Sequence, residues 1–283
     1  MGHPTGRFHA VILPAVHARK ADAMVDVHRL KFHPILLVLL LPLCAHAQRR
    51  TITQQLHWSG YFNTLKLNER WAVSTDIQER RFFNPDVHQQ FGLRSMIRRD
   101  LGRGMDVALG GALFLQGAND PNAANQLVRP ELRPHAEVTR KIKGPWYRFN
   151  QRSRVEARFF HREEGGELTA GYSFTNFRIR YQPVLEIPIL RNADAGTERL
   201  AFKLAGELFL RSHVPTFSDA FDQGRLHASF IIGITSGLTI DIGYMNMYQR
   251  SIGGEVFYNR HLLRVVIQHR IDLTRARPTS TMG

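Results

Sequence analysis

Two short pairs in this chain have the residue types of a nucleophile and its base: His57-x-Ser59 and His227-x-Ser229. A serine becomes nucleophilic when a positioned histidine takes its proton. A one-residue gap puts both side chains on the same face of a strand, and a carboxylate from a neighbouring strand would complete either pair. On a lipid-facing wall such a serine would suit ester hydrolysis. The same residues also suit a polar girdle or an interior row, and nothing beside either serine marks it as activated. No catalytic residue is therefore assigned.

Other chemistry is thinly represented. There is no Gly-rich phosphate loop, no H-E-x-x-H and no G-x-S-x-G in the chain. His261 and His269 share a strand face, but eight residues of strand place them roughly 26 Å apart, too far to share a metal. No cofactor or metal is expected.

Charge is more informative. In NQRSRVEARFFHR (150–162), Arg152, Arg154, Glu156 and Arg158 occupy every second position, between Ser153, Val155, Ala157 and Phe159. A strand with this pattern has one charged face and one mostly apolar face. The same alternation assigns Arg148 to the charged row here. Earlier in the chain it assigns Arg70, Arg80, Arg94 and Arg98 to such a row, followed by Glu131, Arg133 and Glu137. Later it adds Arg178 and Arg180, then Lys203, Glu207, Arg211 and Arg225, and finally Arg264 and Arg270.

The elements that must position these rows are long strands. About eleven alternating segments run near 55–67, 69–83, 88–100, 105–117, 128–142, 145–161, 170–184, 199–212, 222–235, 238–249 and 259–273. Many exceed ten residues, whereas strands of ordinary globular sheets cluster at about five or six. Crossing a bilayer takes tilted strands of about 9–11 residues. Tight glycine turns at 101–104, 143–144 and 236–237 alternate with longer polar connections at 117–127, 162–169, 212–221 and 250–258. Aromatics such as Trp58, Tyr61, Trp71, Phe82, Trp146 and Tyr147 lie near segment ends, where interfacial girdles belong. The expected fold is all-β, an antiparallel transmembrane β-barrel. Because single-chain bacterial barrels usually have an even strand number, twelve strands are expected, with ten as the alternative. The twelfth would come from a mis-divided hairpin or from a further strand near 48–55.

In a barrel the oily row faces lipid and the charged row faces the lumen. A lipid-facing Arg or Lys near mid-depth costs about 2–4 kcal/mol, so the arginines must point inward. Two readings of the lumen follow. Arg and Glu on neighbouring strands can pair into a structural ladder, or excess positive charge can make a path for anions.

The segment before residue 48 is set apart. Arg29 and Lys31 precede the apolar run Ile35–Cys44, and Ala45-His46-Ala47 follows it. A basic start, a short apolar centre and an A-x-A site describe a cleaved signal peptide over 24–47. Residues 1–23 then read as a gene-model extension and 274–283 as a C-terminal tail to a single barrel domain, 48–273. Cys44 is the only cysteine, and Leu43 occupies a position where lipidation would need a small residue. The exported part has 33 Lys and Arg against 22 Asp and Glu, a net charge of +11. Export makes nucleic acid the least suitable partner for that charge. Outer-membrane lipids and a small anionic solute remain, with localisation in the outer membrane of a Gram-negative bacterium.

LHWSGYF (56–62), RSRVEARFF (152–160), FRIRY (177–181), GELFL (206–210), FDQGR (221–225) and DIGYMNMY (241–248) occur in this order. The ordered set resembles the outer-membrane-type β-barrel family catalogued as domain of unknown function 2490, over about residues 55–273. The resemblance implies export, an antiparallel barrel and no established activity, and it carries over no catalytic residue. The tail TRARPTSTMG (274–283) departs from the terminal aromatic common in barrels. The expected function is an integral outer-membrane barrel, with a narrow pore for small anions or acidic oligosaccharides as its specific form. The alternatives are an outer-membrane lipid hydrolase and a structural or adhesive barrel acting through its long loops.

Overall fold

Alternation over this many segments leaves each strand one polar edge to hide, and a closed wall hides them all. The computed structural model describes Gly2 and residues 50–191, 198–212, 214, 216–251, 254 and 256–274. The signal segment 24–47, Cys44, His213 and residues 275–283 lie outside the described residues. All described residues but Gly2 belong to one unit, Gln48–Gly283.

Strands β1 to β4 are Arg50–Lys66, Trp71–Phe82, His88–Gly102 and Met105–Gln116. Two shorter strands follow, β5 (Arg129–Leu132) and β6 (His135–Lys143). Then come β7 (Arg148–Glu164), β8 (Glu167–Arg191) and β9 (Glu198–Arg211), and last β10 (Phe221–Gly233), β11 (Leu238–Arg250) and β12 (Val256–Asp272). Each pairs with its sequence neighbours, except that β5 and β6 both pair with β4 and β7, and β1 pairs with β12, so the sheet closes into a barrel.

The sheet has twelve strands, but the twelfth arises inside segment 128–142 and not at 48–55. Residues 50–55 simply extend β1. β5 and β6 pair with the same two neighbours, β4 and β7, in one continuous register. Arg133 still exchanges backbone hydrogen bonds with Ala112, at 2.8 and 3.0 Å. Pro134 has no N–H to donate, and the ladder is broken there alone. β5 and β6 therefore share one place in the wall, which has eleven places.

That odd number corrects the expectation of a purely antiparallel barrel. In an up-and-down wall with eleven places the first and last strands run the same way. β1 and β12 accordingly pair in parallel from Arg50↔Val256 to Lys66↔Asp272.

The connection expected at 162–169 is also mostly strand. β7 and β8 continue to a two-residue turn at Gly165-Gly166, both at positive φ (60° and 85°), a conformation glycine adopts without strain. At its other end β8 runs past the expected limit of 184 and through Pro183, where its ladder with β9 skips Gln182 and Pro183 while pairing with β7 continues.

Burial is inverted relative to a water-soluble sheet. Ile77, Ile97, Val155, Ile179, Leu204 and Leu263 are exposed on the outer surface, and Leu109 is 70% exposed. Inside, Glu131, Asp241 and Arg260 are wholly buried.

Candidate functional site

The charged row of β7 is the spine of the interior. Arg154 donates to Glu137 of β6 at 2.5 Å, and Arg152 to Glu207 of β9 at 2.8 Å. Glu156 accepts from Arg178 and Arg180 of β8, each at 2.6 Å. Arg158 and Arg133 both reach Glu131 at 2.6 Å. Residues two apart on a strand share a face, so each finds its partner on the next strand or the one beyond. A guanidinium's fork meets a carboxylate with two parallel bonds, and Arg133 meets Glu131 in this way.

The other charged residues singled out from the sequence fall into three groups. Arg94 pairs with Asp76 at 2.8 Å, Arg98 with Glu137 at 2.8 Å, and Arg148 with Glu186 and Glu198 at 2.9 and 2.5 Å. Lys203 and Arg264 converge on Asp241, and Arg225 lies 3.4 Å from Glu207. Arg211 sits at the rim, donating to the backbone oxygen of Asp219 at 3.2 Å. Arg70, in the turn before β2, and Arg270 are exposed at the mouth formed by the short turns. Arg80 is buried without an ion pair or a side-chain hydrogen bond among the described residues.

Sequence reasoning missed several interior groups. Asp76, Asp106 and Asp241 supply the carboxylates for Arg94, Lys141 and Lys203. Arg260 is held by neutral partners only, Gln54, Gln249 and Asn119. In the middle of β1 the interior row is apolar: Leu56 and Trp58 pack with Phe82, Met245, Met247 and Leu262. Trp58 and Phe82 therefore lie inside and are no part of an outer girdle.

The two His-x-Ser pairs face opposite ways. His57 and Ser59 are on the outward row of β1, with no hydrogen bond between them among the described residues; Glu79, opposite Ser59, is taken by His88 at 2.8 Å. His227 and Ser229 are buried inside, with His227 Nε2 4.0 Å from Asp241. The pair with a carboxylate within reach of its histidine thus faces the interior, not the outer surface, where lipid hydrolysis would need it. His261 and His269 face outward, each hydrogen-bonded to a tyrosine on an adjacent strand, Tyr244 (2.5 Å) and Tyr61 (2.8 Å). No three metal-ligating side chains cluster among the described residues.

Two cavities occupy the interior, of about 1080 and 690 Å³. The larger opens toward the long-loop rim and the smaller toward the short-turn rim. Six residues line both: Phe62, Asn150, Arg152, Gln182, Val184 and Gln268. The segment between β4 and β5 narrows the upper mouth. Gln54 donates to the Asn119 backbone oxygen (2.7 Å) and Arg260 to its side-chain oxygen (2.8 Å), while Asn125 donates to Gly166 (2.9 Å). The strap thus spans from the β1/β12 seam to the β7–β8 turn.

Outside the strands, Asp219 accepts from the Thr216 hydroxyl and from Arg250, each at 2.7 Å. The Thr216 bond first, and then Arg250, hold its carboxyl below the ordinary range.

A search of curated proteins finds no match. Among solved structures, one described as "NanC porin structure in rhombohedral crystal form" aligns with a TM-score of 0.41 at 11% identity, covering 72% of this chain and 90% of that one. A family model described as "Protein of unknown function (DUF2490)" matches residues 56–258. The chain belongs to that family, DUF2490, as the ordered motifs led one to expect.

Proposed function

We propose that this protein is an integral outer-membrane barrel, delivered by a cleaved signal peptide, whose interior is a narrow path for small anions or acidic oligosaccharides. The observation that carries the membrane part is the inverted wall. Large apolar side chains are exposed on every strand of the barrel, whereas a soluble monomer rarely exposes a contiguous apolar patch above a few hundred Å². Lipid is the solvent that makes this arrangement favourable, and long closed strands satisfy their backbone there.

The path itself is supported by two interior cavities, one toward each rim, that share six lining residues, Arg152 among them. Selectivity for anions follows from guanidinium groups close to the passing solute. Most are neutralised by carboxylates, so the selectivity expected is modest and the conductance small.

The test is fractionation with outer membranes, followed by reconstitution of purified protein into planar bilayers. Anion-selective currents that weaken in Arg152→Gln would support the reading. Membrane-inserted protein with silent bilayers would instead favour a structural barrel held by its ion-pair ladder. Protein recovered soluble in the periplasm would overturn the membrane reading altogether.

A further inference from the structure

Arg80 stands apart from every other buried arginine of the interior. The residue is 6% exposed, lines the larger cavity, and has no ion pair or side-chain hydrogen bond among the described residues, its Nε included. The charges that act on it most strongly are all positive: Arg225, Arg133, Arg260 and Arg180. What supports it is an aromatic face. Its guanidinium carbon sits 4.1 Å from the centre of the Trp58 ring, and the two residues are directly opposed on β2 and β1. Arg264 and Arg225 flank the same ring at 5.0 and 5.5 Å, but each is already tied to a carboxylate, Asp241 or Glu207. Trp58 Nε1 is a second buried donor without a partner.

A buried cation repelled by its neighbours and facing a cavity is costly unless an anion completes it. We propose that Arg80, backed by the Trp58 indole, is the binding point for the carboxylate of a small solute entering the larger cavity. A single carboxylate matches the open edge of one guanidinium and balances its one uncompensated charge. The Gln78 and Gln89 side chains, each with a buried oxygen lacking a partner, offer acceptors for hydroxyl groups on the same solute. The site rests on the reading of the interior as an anion path and names where in it the anion pauses.

The test is equilibrium binding in detergent, which needs no conduction. Thermal unfolding of the purified protein would be followed by circular dichroism with sodium D-glucuronate. D-glucose, and sodium chloride at matched ionic strength, serve as the references. Glucuronate should raise the unfolding temperature saturably, beyond both references, because a ligand bound only by the folded state stabilises it. Arg80→Gln should weaken the apparent affinity about tenfold or more. Having lost a repelled cation, it should also unfold at a higher temperature than the wild type when no anion is added. Trp58→Phe should weaken binding less. An equal response to glucuronate and glucose, a response matched by chloride, or an undiminished response in Arg80→Gln would each overturn the site. Currents without Arg80-dependent binding would remove the site and leave the path. Silent bilayers with Arg80-dependent binding would remove the path and leave the site.

Discussion

Arg154 and Glu137 face each other across β7 and β6, 2.5 Å apart, with both side chains almost completely buried. Val155, one residue further along the same strand, is exposed on the opposite face. The two neighbours therefore stand on opposite faces of the wall, and substitutions at them should fail for different reasons.

With the outer face in lipid, as proposed, Val155→Arg should impair assembly, because a lipid-facing arginine near mid-depth costs about 2–4 kcal/mol out of a total stability of about 5–15. Arg154→Gln should be milder than the 3–5 kcal/mol of a fully broken buried pair, since Arg98 still reaches Glu137 at 2.8 Å. Boiling-dependent gel mobility in detergent would rank the two. A reversed ranking would mean the faces are exchanged.

Glu156→Gln should cost more than Arg154→Gln. Glu156 is the shared acceptor of Arg178 and Arg180, and its neutralisation leaves two buried cations with one fewer anion between them. Removing one partner of a buried pair costs about 3–5 kcal/mol. The comparison is a denaturant titration of both variants, and equal midpoints would contradict the shared-acceptor role.

Asn119→Ala should loosen the strap across the mouth. It removes one hydrogen bond to a charged group, worth about 1.5–3 kcal/mol, while Gln54 and Gln249 still hold Arg260. Larger single-channel conductance from a barrel that still folds is the expected result. Unchanged conductance would show that the strap does not limit the path.

Asp219 gives a pH dependence with a definite sign. Its folded-state pKa is depressed by Thr216 and Arg250, so the tie to Arg250 is fully present above the ordinary aspartate value of about 3.9. It is lost as pH falls through the depressed value. Hydrogen exchange of the segment 212–221, corrected for intrinsic rate, should accelerate on acidification below about pH 4 in the wild type. Asp219→Asn should already be fast at neutral pH and show no such step.

The wall was legible because strands with one charged and one apolar face alternate residue by residue. The 145–161 row could be phased by Arg152, Arg154 and Arg158 alone, and its ends agree with β7 to within three residues. β1 was harder, because Leu56, Trp58, His57 and Ser59 include no strong charge to say which row faces in. Pro134 divides a place in the wall by lacking one N–H, and its partner on β4 is about 23 residues away in sequence. The odd closure follows from counting eleven segments at face value, a count set aside in favour of the usual even number. Arg260 and Asn119 meet across 141 residues of chain, and no local pattern marks such a pair. Arg80 was placed in the charged row, but its lack of a carboxylate depends on all its spatial neighbours at once.

The wall's two faces can be read residue by residue, since Cys44 is the chain's only cysteine and precedes the barrel. Single cysteines at 152 to 159, in protein reconstituted in vesicles, would carry an environment-sensitive fluorophore. Nitroxide-bearing lipids should quench positions 153, 155, 157 and 159 and spare 152, 154, 156 and 158. A water-soluble thiol reagent should show no preference for the quenched set. Quenching without period two, or with the opposite phase, would contradict a barrel that turns its apolar row to lipid and its charged row inward.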